Sequence, residues 1–536
     1  MALTAKIENG IVYSPYPPSV IPEISVYEAV KRFLQKWGQK VILVEGDVSL
    51  KCDELLLHIQ RAAAGFQAHG VKRGECATIY YGNTIAGVIA GLGLVAAGAT
   101  LHLAKALYNL KELTYEVKDS GSCYLVTDKR HTDIATQLDK EHKLKAMFTI
   151  DGAIPGFVNV EDYQTLSETT FKEVQVPDTR KEILAILYTS GTTGFSKGAE
   201  MSHYAYVNNI TNAAYLIPAT DTDVFLASSP FTHLSGFVFT ITTMSLGATI
   251  VIGPAGSTFQ SFYEVVTKNN VSSVFLFPTK LRWLTRTMEE TAMRTPTVKK
   301  ICTGGGPVQS DLAAKVMEIF KLQKFKNLYG LTESCGLVCG TLNEDISYQS
   351  MGYPAPGVEI KIVHAISKKV LGPGQKGELV VKIPNVMIGY RNRPEDTAKV
   401  LQDGWLFTGD CAYYNEDGKF FFVERLKEMI KCLDHQVTPA ELEDVLQQHP
   451  SVAEAAVVGI PNPLYGEAPT AFVVLKPSHT ALNVVKPDML QQHVNKSSAD
   501  FKHLYGGVHI VRELPKTESG KVARSRLKQN PPQSPQ

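Results

Sequence analysis

Residues 187–198 read Leu-Tyr-Thr-Ser-Gly-Thr-Thr-Gly-Phe-Ser-Lys-Gly. Gly191, Gly194 and Gly198 are interspersed with the hydroxyls of Thr189, Ser190, Thr192 and Thr193, and one cation, Lys197, stands near the end. The run Ile183 to Leu187 ahead of the loop is apolar and reads as a buried strand. A strand that empties into such a loop presents backbone N–H groups and hydroxyls with no bulky side chain in front of them. A polyphosphate requires those short-range donors and one mobile cation. A plain surface loop shares the composition but rarely follows a buried strand with a lone lysine at this spacing. The segment is not a Walker A loop, because Gly198 and Ala199, not a hydroxyl that could hold Mg²⁺, follow Lys197.

Other islands carry weaker signals. Thr303-Gly304-Gly305-Gly306-Pro307 is a second glycine loop after a strand, where backbone can approach a flat ligand closely. Tyr329-Gly-Leu-Thr332-Glu333 combines an aromatic face with oxygen ligands for a hard cation such as Mg²⁺; a turn bearing a solvated glutamate reads the same. Trp405-Leu-Phe-Thr-Gly-Asp410 sets a carboxylate after a glycine turn, either an acceptor pair for the vicinal hydroxyls of a ribose or a turn cap. Arg425, Lys427 and Lys431 form a basic segment, or a solvated charged edge. In Leu514-Pro-Lys-Thr-Glu-Ser-Gly-Lys521 a lysine at a glycine turn can act as a point charge on developing phosphate negativity. His233 lies in a Pro-Phe-Thr-His-Leu-Ser-Gly loop, where a lone histidine is as a rule structural.

The elements that must position these groups are legible in outline. A chain of 536 residues exceeds one core. With 44% hydrophobic and 20% charged residues it has an ordinary globular composition. A net charge of +1 gives no basic footprint for nucleic acid. Residues 50–330 alternate helical patterns with short β-branched strands, among them Val224–Ala227, Thr249–Ile252 and Lys300–Thr303. That alternation predicts an α/β fold with largely parallel sheets. From about 350 to 423 short strands between Gly-Pro and Asp-Gly turns predict a β-rich subdomain within a large domain 1–424. Residues 425–528 form a small α/β domain, and 529–536 a Pro/Gln-rich disordered tail. The apolar stretch Ile85 to Ala104 reads as a buried helix followed by a strand, not as a transmembrane segment. Scattered cysteines and no secretory signal point to the cytoplasm, and the C-terminus lacks a peroxisomal Ser-Lys-Leu.

Each island is ambiguous alone, but their order is not. Thr-Ser-Gly-Thr-Thr-Gly-x-x-Lys-Gly, Tyr-Gly-x-Thr-Glu, Thr-Gly-Asp, Arg-Leu-Lys-Glu and Pro-Lys-Thr-x-x-Gly-Lys follow one another. The chain so resembles the adenylate-forming superfamily of acyl-CoA synthetases, 4-coumarate–CoA ligases, insect luciferases and peptide-synthetase adenylation domains. The resemblance spans about residues 25–528 and is nearest to the 4-coumarate–CoA ligase and luciferase branch. It implies a large domain and a small mobile C-terminal domain hinged near Glu424–Lys427. It also implies ATP, Mg²⁺ and CoA acting on a small carboxylic acid. By matching positions, Thr189, Ser190, Gly191, Thr192, Thr193, Gly194 and Lys197 would hold phosphates. Glu333 would bind Mg²⁺, and Thr332, with Tyr329 and Gly304 nearby, would contact the adenylate. Asp410 and Arg425 would hold ribose. Lys521 would stabilise charge during adenylation, with His233 beside the acid's carboxylate. Lys427, Lys431 and Gln436 would face the adenylate after rotation of the small domain.

The pattern breaks at one place. Relatives usually read Ile-Lys-Tyr-Lys-Gly-Phe/Tyr-Gln-Val after the hinge, whereas residues 430–437 read Ile-Lys-Cys-Leu-Asp-His-Gln-Val. Leu433 and Asp434 replace a lysine and a glycine that would face the CoA arm. An aspartate adds bulk and a charge that repels CoA phosphates. A basic residue often present near 256 is absent, and Leu328 replaces a glycine before the Tyr-Gly motif. Three readings follow: an acyl-CoA ligase with an altered CoA channel, an adenylating enzyme with another acceptor, and a non-catalytic nucleotide- or acyl-binding paralogue.

Overall fold

The computed structural model describes residues 4–189, 196–253, 258–308, 310–342, 349–433, 435–476, 485–516 and 522–529. They form two compact units, Met1–Ile360 with Val381–Phe407, and Lys361–Val380 with Thr408–Gln536.

In the first unit, strands buried on both faces explain the unbroken apolar runs. Cys76–Tyr80 is flanked in parallel by Thr100–Leu103 and Ser122–Thr127. Ala146–Thr149 and Ile183–Thr189 extend the parallel order on either side in a sheet of eight strands. A nine-stranded sheet holds Val41–Glu45, Thr249–Ile252, Val224–Ala227, Ser273–Leu276, Lys300–Gly304 and Lys324–Leu331 as parallel neighbours. Helices Phe259–Lys268, Pro278–Thr291 and Ser310–Phe320 supply Phe262, Leu281, Leu284 and Val316 to a core shared with Val251, Val274, Ile301 and Phe325. Each such buried side chain contributes ~1.5–3 kcal/mol.

The apolar stretch at Ile85 divides as its composition predicts. Helix Ile85–Ala96 starts at Thr84, whose hydroxyl accepts from the backbone N–H of Gly87 at 2.9 Å, and strand Thr100–Leu103 follows. No helix among the described residues is long and apolar enough to cross a membrane.

The second unit centres on strands Ile430–Cys432, His435–Val437, Val452–Asn462, Gly466–Leu475 and Val508–Ile510. One face packs Leu442 and Leu446 of helix Pro439–Gln447 and Leu490 and Val494 of helix Pro487–Ser497. The other face packs Leu514 and Leu527 against Val458 and Phe472. Ahead of these strands, Trp405–Tyr414 pairs antiparallel with Phe420–Arg425, from Asp410↔Arg425 to Tyr414↔Phe420.

Candidate functional site

The eight- and nine-stranded sheets each change from parallel to antiparallel at a chemistry-bearing motif. Strand Ile183–Thr189 returns as Lys197–Ser202, and the last pair of this hairpin is Thr189↔Lys197. The loop therefore joins two strands, with Lys197 opening the return strand. Ser190, Gly191, Thr192, Thr193 and Gly194 lie outside the described residues. In the second sheet, Lys324–Leu331 returns as Gly336–Gly340, with Tyr329 opposite Cys339 and a single 3₁₀ turn at Thr332–Ser334. A side chain on Gly330 would lie 2.0 Å from the carbonyl oxygen of Gly336, so the motif's glycine is a requirement of the hairpin itself. The turn is fastened from beneath: Asn385 Nδ2 donates to the Ser334 carbonyl at 2.8 Å, and Asn209 Nδ2 to the Cys335 carbonyl.

One segment, residues 385–391, stitches the two turns together. The backbone N–H of Met387 donates to the Glu333 carbonyl at 2.9 Å, Ile388 N–H to the Glu200 carbonyl at 2.8 Å, and Arg391 N–H to the Gly198 carbonyl at 2.7 Å. Tyr390 then uses both its parts. Its hydroxyl donates to Glu333 Oε1 at 2.7 Å, while Lys197 Nζ stands 5.3 Å from its ring centroid. Lys197 also meets Asp396 Oδ2 at 2.9 Å, and a second lysine, Lys399, meets Asp396 Oδ1 at 2.9 Å. Those two ammonium groups hold the Asp396 carboxyl at about 2. A polyphosphate at this hairpin would find one cation in Lys197, and the Glu333 carboxylate is an oxygen ligand of the kind a hard cation such as Mg²⁺ would take.

The exit of the loop rests on a buried polar network. Ser196 Oγ and Tyr108 Oη both donate to Glu116 Oε1, at 3.0 and 2.9 Å, and His102 Nε2 lies 3.1 Å from Glu116 Oε2. His102 is fully buried and Glu116 is 2% exposed, so the carboxylate's hydrogen bonds replace its lost hydration. Sequence reading did not find Tyr390, Asp396, Asn385 or Glu116. Their signal is three-dimensional, since Tyr390 and Glu333 are 57 residues apart.

The remaining first-unit candidates have plain structural positions. His233 precedes helix Leu234–Ser245, and its Nδ1 accepts from the Ser235 N–H at 3.2 Å and lies 2.8 Å from Ser235 Oγ. An accepting Nδ1 puts the proton of a neutral ring on Nε2, the atom that can donate to a carboxylate. Phe277 packs edge-on to the ring at 6.3 Å. Gly304 ends its strand opposite Leu328, whose carbonyl oxygen would sit 2.6 Å from any Cβ at 304. Its missing side chain is consumed by strand packing, whereas Gly306 faces more open space. Tyr329 and Thr332 are half-buried in the hairpin and its turn.

In the second unit, Asp410 and Arg425 are register partners, with Arg425 Nε 2.9 Å from Asp410 Oδ1. Asp410 is 2% exposed, so its charge is neutralised before any ligand arrives. Lys427 follows in the next turn. Lys431 is exposed between buried Ile430 and Cys432 and pairs in register with Gln436, whose side chain lies outside the described set, as do Asp434 and Lys521. Leu433 is 40% exposed with φ of 49°, a left-handed backbone that a branched side chain rarely adopts. In the same unit, Arg524 reaches Glu443 at 2.8 Å, Glu428 at 2.9 Å and Glu424 at 4.0 Å. Burial pushes Glu424 up to about 7.

Comparison with known proteins agrees with this architecture. Residues 30–391 match the family model "AMP-binding enzyme", and residues 441–521 match "AMP-binding enzyme C-terminal domain". The chain is 30% identical to a probable 4-coumarate–CoA ligase 3 of Dictyostelium discoideum, over 98% of each protein. It is also 30% identical to a luciferin 4-monooxygenase of Nipponoluciola cruciata, over 82% of this chain and 80% of that one. Among solved structures it is similar to the o-succinylbenzoate CoA synthetase of Bacillus subtilis in complex with its acyl-adenylate intermediate. That likeness has a TM-score of 0.79 and 26% identity, and covers 93% of this chain and 97% of that one.

Proposed function

This chain belongs to the AMP-binding enzyme family of adenylate-forming enzymes, and from that premise we propose that it is an ATP-dependent carboxylic acid–CoA ligase. In the first step a carboxylate oxygen of the acid bonds to the α-phosphorus of ATP, the bond to the bridging oxygen breaks, and pyrophosphate leaves with that electron pair. In the second step the CoA thiolate bonds to the acyl carbon and AMP leaves. The observation that carries the reading is Tyr390, which gathers Lys197 from one sheet and Glu333 from the other around a single ring. A charge-separated phosphate substrate needs such a fixed cation and a fixed carboxylate more than it needs covalent chemistry.

The other assignments follow the same proposal. The 190–194 loop and Lys197 bind phosphates, and Asp410 with Arg425 receives the ribose. Lys521 neutralises charge at the α-phosphate, and His233 donates from Nε2 to the acid. Glu333 would hold Mg²⁺, which would supply charge neutralisation to the phosphates. The hinge lies at Glu424–Lys427, and residues 425–528 move about it. A second reading, adenylation followed by transfer to an acceptor other than CoA, is favoured by Leu433, an exposed left-handed leucine where CoA ligases carry lysine. ATP–pyrophosphate exchange without CoA, followed by thioester assay with it, separates the two.

A further inference from the structure

Lys197 is the first residue of a return strand, and its ammonium lies against the Asp396 carboxylate at 2.9 Å. Both side chains are about one quarter exposed, so an anion from solution can reach the pair. Asp396 sits in the first turn of helix Pro394–Val400, which fixes it beside the hairpin. Its other oxygen is 2.9 Å from Lys399. That second cation matters, because Asp396 stays neutralised when Lys197 leaves it. Lys197 in turn keeps the face of Tyr390 beneath it. The pair is thus built to open at low cost and to close again.

We propose that Asp396 is a tethered counter-anion that occupies Lys197 in place of the nucleotide's terminal phosphates and so sets the affinity for ATP and pyrophosphate. This inference rests on the reading of the Lys197 hairpin as the phosphate site. Incoming phosphate oxygens displace the carboxylate from the ammonium, and Asp396 swings to Lys399 alone. When pyrophosphate is the product, the carboxylate competes for Lys197 and assists release. An anion that must be displaced weakens binding of every ligand that uses Lys197 and of no ligand that does not. AMP, which lacks the two outer phosphates, is therefore the internal control.

The test is calorimetric binding of ATP, pyrophosphate and AMP to the full chain and to Asp396→Asn, with Asp396→Ala as a second variant should the first fold poorly. Removing an exposed counter-ion is expected to tighten ATP and pyrophosphate about two- to fivefold, the scale of one partly exposed ion pair, and to leave AMP unchanged. Equal or weaker pyrophosphate binding in the variants overturns the inference and makes Asp396 a support for Lys197. A uniform change in all three ligands overturns it too, as a structural effect. If the unmodified chain binds neither ATP nor pyrophosphate, the functional reading falls and this inference falls with it; binding by the unmodified chain that the variants merely match removes the inference alone.

Discussion

The hairpin at Lys197 and the hairpin at Lys431 are both short antiparallel returns that carry a lysine, yet they are supported in opposite ways. Around Lys197 the side chains of Tyr390, Asp396 and Glu333 interlock, and the preceding residue, Ser196, rests on buried Glu116. Around Lys431 the fastening is at the backbone, with its N–H on Glu467 at 2.8 Å and the Leu433 N–H on the Tyr465 carbonyl at 3.0 Å. The tip residue, Leu433, is exposed in a left-handed conformation that costs on the order of 1 kcal/mol for a leucine. A preorganised first hairpin suits a step whose barrier is lowered by fixed charges. A second hairpin with altered tip residues suits an acceptor step that has drifted. Under the proposed two-step reaction, the contrast would place the two half-reactions on separately built hairpins.

That contrast can be broken from either side, and the largest effect belongs to the charge that the adenylation proposal needs most. Lys521→Ala is expected to lower acid-dependent ATP–pyrophosphate exchange by about 10²- to 10³-fold, the scale for removing one preorganised stabiliser of a developing anion, with an unchanged melting temperature. Exchange at the original rate would remove its assigned role. Next in size is Tyr390→Phe, which loses the 2.7 Å hydrogen bond to Glu333 but keeps the ring under Lys197. Titrating Mg²⁺ in the exchange assay should show half-saturation at about tenfold higher Mg²⁺ with activity restored at saturation, the scale of one hydrogen bond to a charged group. An unchanged Mg²⁺ dependence would mean that the tyrosine does not orient Glu333.

The second hairpin gives smaller shifts. Leu433→Lys combined with Asp434→Gly is expected to raise CoA-dependent turnover a few-fold, by about one charged contact, while exchange stays constant; equal gains in both rates would show that the hairpin serves adenylation instead. The smallest effect is on stability. Glu424, Glu428 and Glu443 share the Arg524 guanidinium, and Glu424 is the farthest at 4.0 Å. Burial lifts its folded pKa to about 7 from the ordinary 4.5. The folded state therefore holds a proton that the unfolded chain releases, and stability from this group, full below the unfolded value, is lost as pH rises through about 7. Glu424→Gln should flatten that fall in melting temperature between about pH 5 and 8; parallel profiles for the two proteins would contradict it.

The fold was legible where one force acted alone. Val224–Ala227 and Thr249–Ile252 coincide with the strands read from the sequence, because a strand buried on both faces must be an apolar, β-branched run. The motif loops stand out by composition and by their order along the chain, while residues 190–194 of the first lie outside the described residues. Tyr390 and Asp396 were not, because an aromatic after a glycine and an acid in a helix's first turn are ordinary by themselves. Only the pairing of Ala199 with Tyr390 brings them to Lys197. Gly304 was legible as a close-approach glycine, but the approaching group is the Leu328 carbonyl of the neighbouring strand. The hairpin at Thr189 was read as a strand running into a loop, and the return strand that makes Lys197 its first residue depends on pairing that a single segment does not reveal.

The most direct measurement of the central claim is ATP–pyrophosphate exchange across a chemically varied panel of carboxylic acids, without CoA and then with it. The account predicts exchange that depends on one class of acid and proceeds in the absence of CoA, with the second assay deciding the acceptor. Exchange with no acid on the panel, from a folded protein that binds ATP, would contradict it.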